Sequence, residues 1–199
     1  MSTRRSVLGT AAWTAPVIAF AAAAPAFAAS TKRGLNGWVE VQWGDSRITL
    51  DGRGTYPNRG LWVSETKVGD TITNVSIVFY FADTDLVTWE TRTGDSGAWT
   101  VPVNVGLSTI SGTTVRGYST SYTLPITATA PITQLNNNLV FRTTSNAVAG
   151  SSVWARRSVT VNGNVISFLR GPVSPNNRSR QSRSAAPQDL ESVQGAATL

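Results

Sequence analysis

The side chains of this chain that could carry acid–base or metal chemistry are carboxylates alone. Its 199 residues include no His and no Cys. A His base, a Cys nucleophile and a Ser-His-Asp triad are therefore excluded. A disulfide framework is excluded too, and zinc, which draws its ligands mainly from His and Cys, is not expected. Four glutamates remain, at Glu40, Glu65, Glu90 and Glu191. Two of them could run a glycoside hydrolase if their carboxyls faced each other at about 5 Å or about 6.5–9.5 Å. Glu40 and Glu90 each fall on a polar strand face, where a solvated charge needs no cleft. Asp83-Thr84-Asp85 gathers two carboxylates in one turn, which suits Ca²⁺. It lacks the Gly and Glu of a calcium loop and reads as an Asx-rich turn between strands. No Gly-rich phosphate loop is present. The chain is expected not to be an enzyme, with no catalytic residue, no metal ligand and no cofactor.

Tryptophan is the other residue type with chemistry to offer, because an exposed indole stacks on sugar rings, whereas a buried one fills a core with its large area. Trp38, Trp43, Trp62, Trp89, Trp99 and Trp154 follow the N-terminal segment. Strand alternation separates the two roles. Trp43 shares parity with Val39 and Val41, Trp89 with Val87, and Trp99 with Val101, Val103 and Val105, so these three are expected inside. Trp38 shares parity with Glu40 and Gln42, and Trp154 with Arg156 and Ser158. These two are the candidate ligand-facing aromatics. Arg116, Tyr118, Thr120 and Tyr122 share another face, readable either as core or as a hydroxyl-rich binding face.

Positioning such residues takes strands. After residue 30, apolar residues alternate in short runs rich in Val, Ile, Thr, Trp and Tyr, with Gly, Asp, Asn and Pro between them. That pattern predicts β-structure throughout. Candidate strands are Trp38–Trp43, Arg47–Leu50, Gly60–Ser64, Thr71–Phe81, Val87–Thr91, Ala98–Val105, Thr114–Leu124, Leu139–Thr143, Val153–Val161 and Asn164–Arg170. In Thr71–Phe81 the core face is Val75, Ile77, Phe79 and Phe81. Pro102 removes a ladder donor and places its strand at an edge or a bulge. Asn162-Gly163 predicts a type I′ hairpin pairing 161 with 164, 159 with 166 and 157 with 168. Val159, Val161, Ile166 and Phe168 then share a core face. The expected fold is all-β, an antiparallel β-sandwich of Ig-like topology with a jelly roll as the alternative.

The ends read differently. Residues 1–28 carry a basic start, an apolar run from Ala11 to Phe27 and an A-x-A end at Ala26-Phe27-Ala28, the marks of a cleaved signal peptide. Thr3-Arg4-Arg5-Ser6-Val7-Leu8 resembles the twin-arginine (Tat) export pattern, which implies recognition through Arg4 and Arg5 and cleavage after Ala28. It has Val7 and Gly9 where the strongest form has Phe and Lys. An uncleaved anchor is the competing reading. Residues 29–36 read as a linker, 37–170 as the β-sandwich domain, and 171–199, rich in Pro, Asn, Arg, Ser and Gln, as a disordered tail. Leu124-Pro125-Ile126-Thr127-Ala128 approaches a cell-wall sorting motif, but Ala stands where Gly is needed and no apolar segment follows, so it reads as a strand end.

Arg outnumbers Lys 15 to 2, a composition of GC-rich genomes that suggests an actinobacterium. Trp38–Arg170 resembles in texture the small Ig-like β-sandwich proteins that actinobacteria export behind such signals. Loss of Arg4 and Arg5 with the signal leaves 15 basic against 11 acidic residues, a net charge of +4. No basic cluster interleaved with aromatics stands out, so nucleic acid is not an expected partner. The expected role is an exported, non-catalytic interaction or structural module, extracellular or at the cell surface. Its partner would be a cell-envelope glycan or another surface protein, with no membrane span after cleavage. A carbohydrate-binding module is the alternative, and a carboxylate-based glycoside hydrolase the lesser one.

Overall fold

A computed structural model describes residues 33–57, 60–82, 86–92, 97–135, 138–144, 152–173 and 176–177. The elements are all strands: β1 (Gly34–Gly37), β2 (Glu40–Gly44), β3 (Arg47–Asp51), β4 (Leu61–Ser64), β5 (Thr71–Ala82), β6 (Trp89–Thr91) and β7 (Val103–Ile110). They continue as β8 (Thr113–Ser121), β9 (Ile126–Thr127), β10 (Ile132–Gln134), β11 (Val140–Thr143), β12 (Val153–Val161), β13 (Asn164–Val173) and β14 (Asn176–Asn177). The protein is all-β, and its sheets are antiparallel apart from the short β14–β2 pair.

Three sheets form. One has the order β1-β4-β10, the second β14-β2-β3-β11-β6, and the third β13-β12-β5-β8-β7 with β9 added on β5. All three feed one apolar core. Leu35 and Val63 come from the first sheet, Ile48, Leu50 and Phe141 from the second, and Ile77, Phe79, Tyr118 and Val159 from the third.

Turn chemistry sets the register. Three two-residue turns have positive φ at both central residues: Asp45-Ser46, Ser111-Gly112 and Asn162-Gly163. That is the type I′ conformation, whose twist matches the flanking strands. The third turn gives the expected pairing, Val161 with Asn164, Val159 with Ile166 and Arg157 with Phe168. Ser111-Gly112 joins β7 to β8, so the strand expected to end at Val105 runs on to Ile110.

β5 buries Val75, Ile77, Phe79 and Phe81, as its alternation predicts. At its start a bulge intervenes. Ser76 pairs with Ser158 and Thr73 with Thr160, so Asn74 and Val75 face Val159 alone, with Asn74 at φ 50°. The extra residue reverses parity and brings Ile72 into the core as well.

Three expectations are corrected. Ala98–Val105 was to bury Trp99, Val101, Val103 and Val105 together. Trp99 is buried, but the three valines are exposed. The strand starts only at Val103, after Pro102, and it lies at the end of its sheet with a bulge between Asn104 and Gly106. The stretch expected as a linker contains most of β1, whose glycines carried no strand signal. The core also extends past Arg170, since β13 runs to Val173 and β14 adds 176–177.

β1 shows why glycine is needed there. A Cβ on Gly37, at φ +106°, would stand 1.9 Å from the Gly60 carbonyl oxygen. A Cβ on Gly34 would press on Ile166 and Phe168 at 3.1 Å. Bare backbone lets β1 lie directly against the core face of β12 and β13.

Candidate functional site

The two strand glutamates, Glu40 and Glu90, do not converge. Glu40 on β2 and Glu90 on β6 are separated by two intervening strands, β3 and β11. Three strand steps put them about 14 Å apart, beyond either glycosidase separation. Glu90 is taken by arginines: it accepts from Arg142 Nε at 2.6 Å and from Arg47 Nη1 at 3.4 Å. Glu40 lies opposite Asp51 in register, and Asp51 is held by Arg53 through Nε at 3.0 Å and Nη2 at 2.7 Å. Glu65 follows β4 in the first sheet and is exposed. Among the described residues no three His, Cys, Asp or Glu side chains group to hold a metal. Asp83, Asp85 and Glu191 lie outside the described residues, as do Arg4, Arg5, Ala26 and Ala28.

The two candidate ligand-facing tryptophans are buried, which corrects the expectation of solvent exposure. Trp38 is 9% exposed and Trp154 5%. Trp38 precedes β2, which begins at Glu40, so strand alternation does not reach it. Its backbone N–H donates to Gly60 O at 2.8 Å, and its ring stands edge-on to Trp62 at 5.6 Å. Trp154 does point away from the main core, but that face is apolar locally. Ala82, Ile110 and Val115 form a second cluster with Trp154, flanked by Tyr80 and Leu169. Trp89 and Trp99 are core, and Trp43 is half-buried against it. Tyr118 and Thr120 are fully buried. The Tyr118 hydroxyl accepts from Val87 N–H at 3.0 Å, and its ring packs on Phe81 and Trp89. The face shared by Tyr118 and Thr120 is therefore core.

Polar groups inside the molecule tie the sheets together. Arg157, fully buried on β12, donates from Nη1 to Gly37 O at 2.7 Å. Arg170 donates from Nη2 to Asn36 Oδ1 at 2.9 Å and lies over the Phe168 ring at 4.9 Å. Asn36 in turn donates to Gly34 O at 3.1 Å. These contacts satisfy β1 backbone and side-chain groups that burial removes from water.

The surface most unlike the rest is β7. Val103, Val105 and Leu107 are 61%, 52% and 62% exposed. Among the described residues no strand pairs with the far side of β7. Val105 leans over Gly117, where an added Cβ would meet its Cγ2 at 2.7 Å and Tyr80 Cε1 at 3.1 Å. The apolar strip thus runs from the edge onto the Tyr80–Trp154 cluster. Leu107 pairs with Arg116, which itself pairs with Phe81, so Leu107 emerges on the opposite face. β7 is apolar and wet on both sides. Natural edges are usually blunted with charge, yet between Asp95 and Arg142 the sequence holds one charged residue, Arg116. That long neutral stretch is the sequence signal for this surface.

An open concavity of about 620 Å³ is lined by Thr55, Tyr56, Ala130, Pro131, Ile132 and Gln134. Gln134 is committed to structure, accepting from Tyr56 N–H at 2.8 Å and donating to Leu61 O at 2.9 Å. Tyr56 stands edge-on to Trp62 at 5.0 Å.

Compared with protein-family models, with curated proteins and with solved structures, the chain matches none.

Proposed function

We propose that the chain is a non-catalytic, exported β-sandwich of Ig-like topology that acts at or beyond the cell surface by binding another polypeptide through the β7 edge. The observation that carries this reading is β7 itself, with Val103 and Val105 exposed on one face and Leu107 on the other, and with no neighbour on its far side among the described residues. Main-chain donors and acceptors on such an edge select an extended partner strand, and the alternating apolar side chains select its residues. Export by the Tat route rests on Arg4 and Arg5, with cleavage after Ala28. The separation of Glu40 from Glu90 supports the non-catalytic reading.

The test applies the full chain to envelope preparations of the producing cell, as wild type and as the double variant Val105→Lys/Leu107→Lys. The reading predicts binding by the wild type and its loss in a variant with an unchanged melting temperature. Equal binding by both overturns it. Carbohydrate binding is the second reading, favoured by Tyr56 standing partly exposed beside Gln134 at the open groove. It predicts signals on a glycan array that Tyr56→Ala removes and the β7 variant leaves unchanged.

A further inference from the structure

We propose that Asn162-Gly163, in the turn between β12 and β13, is a site of spontaneous deamidation, and that Asp70 sets its rate by tying up the Asn162 amide. This inference is independent of the β7 reading.

Asparagine is chemically labile, and most so where the next residue offers an unshielded backbone nitrogen. Gly163 N, deprotonated by hydroxide, attacks Asn162 Cγ. The new C–N bond closes a succinimide ring, the Cγ–Nδ2 bond breaks, and Nδ2 leaves as ammonia after taking a proton from water. Water then opens the ring. Opening at Cγ leaves aspartate at 162, and opening at the main-chain carbonyl leaves isoaspartate, with the chain routed through Cγ. The sum exchanges an amide and water for an acid and ammonia, with no change of oxidation state.

The sequence has two Asn-Gly pairs, Asn36-Gly37 and Asn162-Gly163, and their surroundings separate them. Asn36 is fully buried. Its amide donates to Gly34 O at 3.1 Å and accepts from Arg170 Nη2 at 2.9 Å, and burial keeps hydroxide and water from it. Asn162 and Gly163 are both exposed. Nothing lies within 4 Å of where a Cβ on Gly163 would stand, and Gly163 sits in the turn, outside the ladder that starts at the Val161–Asn164 pair. Nucleophile, hydroxide and water therefore meet at this pair alone.

The restraint comes from the start of β5. Asn162 Oδ1 accepts from the Thr71 N–H at 2.8 Å, and Nδ2 donates to Asp70 Oδ1 at 2.7 Å. Asp70 is itself fixed through Oδ2, which accepts from the Lys67 N–H at 2.8 Å. Cyclisation has to break the Asp70 bond, because Nδ2 is the leaving atom, and a charged acceptor makes that bond strong. The product reverses the contact. Aspartate at 162 sets a second carboxylate against Asp70 where a donor stood. Isoaspartate lengthens a turn whose two residues fix the β12–β13 register. The reaction runs one way, and it loosens the hairpin at one end of the largest sheet.

Tryptic peptide mapping of the full chain, incubated folded at neutral pH and in parallel in urea, tests the inference. Ser158–Arg170 carries Asn162 and Gly34–Arg47 carries Asn36, each preceded by arginine, so the two sites are read separately, and fragment masses tell Asn162 from Asn164. In the folded chain Asn162 is expected to convert while Asn36 does not; in urea both convert. Asp70→Ala is expected to speed conversion at Asn162 at least about tenfold, the factor lost with a hydrogen bond to a charged group. Asp70→Asn should give a smaller rise, since a neutral acceptor holds the amide more weakly. Conversion at Asn36 outside urea would reveal that a variant has unfolded, and if Asp70→Ala does so, Asp70→Asn decides. A folded wild type in which Asn162 is as inert as Asn36 overturns the site. A folded Asp70 variant that converts no faster than wild type overturns the restraint.

Discussion

Arg157 on β12 donates to the carbonyl of Gly37 on β1 at 2.7 Å, and the two residues belong to different sheets. The contact is fully buried at the Arg157 end, and it pairs the carbonyl at the end of β1. Its placement follows from the β12–β13 hairpin. The Asn162-Gly163 turn fixes Arg157 opposite Phe168, in line with Ala155 and Val159 on the core face. Arg157→Ala is therefore expected to destabilise the protein by about 3–5 kcal/mol, combining a large core truncation with a carbonyl left unsatisfied. Urea unfolding measures it. A loss below about 1 kcal/mol, the scale of a surface change, would show that the guanidinium is not a structural pin.

Trp38 and Trp154 should behave as core residues. Replacing either by Ala is expected to cost about 3–5 kcal/mol, as for Trp99→Ala, because all three rings are removed from water by packed neighbours. Thermal or denaturant melts of the three variants decide the matter. A loss at Trp38 or Trp154 far smaller than at Trp99 would restore an exposed face and reopen their candidacy as ligand-stacking residues.

The tryptophans also show what the sequence makes legible. Alternation assigns a face, and it placed Trp154 correctly on the side away from Ala155. It says nothing of what covers that face, and here Tyr80, directly across the strand pair, and Leu169 do so. Trp38 fails for a different reason: alternation holds only inside a strand, and β2 starts two residues later. The Asn-Gly hairpin was readable because its turn type demands positive φ at both positions. Ser111-Gly112 makes the same turn with a weaker signature, and the length of β7 was lost with it. The edge surface was missed because Val101, Val103 and Val105 look like a core face. Only the structure shows that all three stay largely exposed and that β7 ends its sheet among the described residues.

Asp70 gives the stability a pH dependence of defined sign. Its carboxylate is held below the ordinary range, first by the Lys67 backbone N–H at 2.8 Å and then by Asn162 Nδ2 at 2.7 Å. Burial opposes the shift, and the charges of Arg33 and Lys67 add to it. The folded pKa lies below the unfolded value of about 3.9. The contribution is therefore complete above that value and is lost as pH falls through the folded one. Melting temperatures between about pH 7 and pH 2 should fall at the acid end, and Asp70→Asn should flatten that fall. Parallel acid slopes for the two proteins would contradict the assignment.

Export should depend on the guanidinium groups of Arg4 and Arg5. Arg4→Lys with Arg5→Lys keeps the charge and is expected to abolish secretion through the Tat route, since a receptor reading planar guanidinium does not accept ammonium. Immunoblots of cell and medium fractions check this. Undiminished secretion of the double variant would mean the chain leaves by the Sec route.

The most direct test of the β7 edge as the interaction surface is amide hydrogen exchange on the full chain, alone and with the envelope preparation. Peptides covering Val103–Ile110 are expected to exchange quickly in the free chain and to gain protection in the bound one, because a partner strand takes up the open edge. Peptides covering Asn164–Ser167 at the other edge should not change. Protection that appears at β13 instead, or association that leaves β7 exchange untouched, would contradict the account.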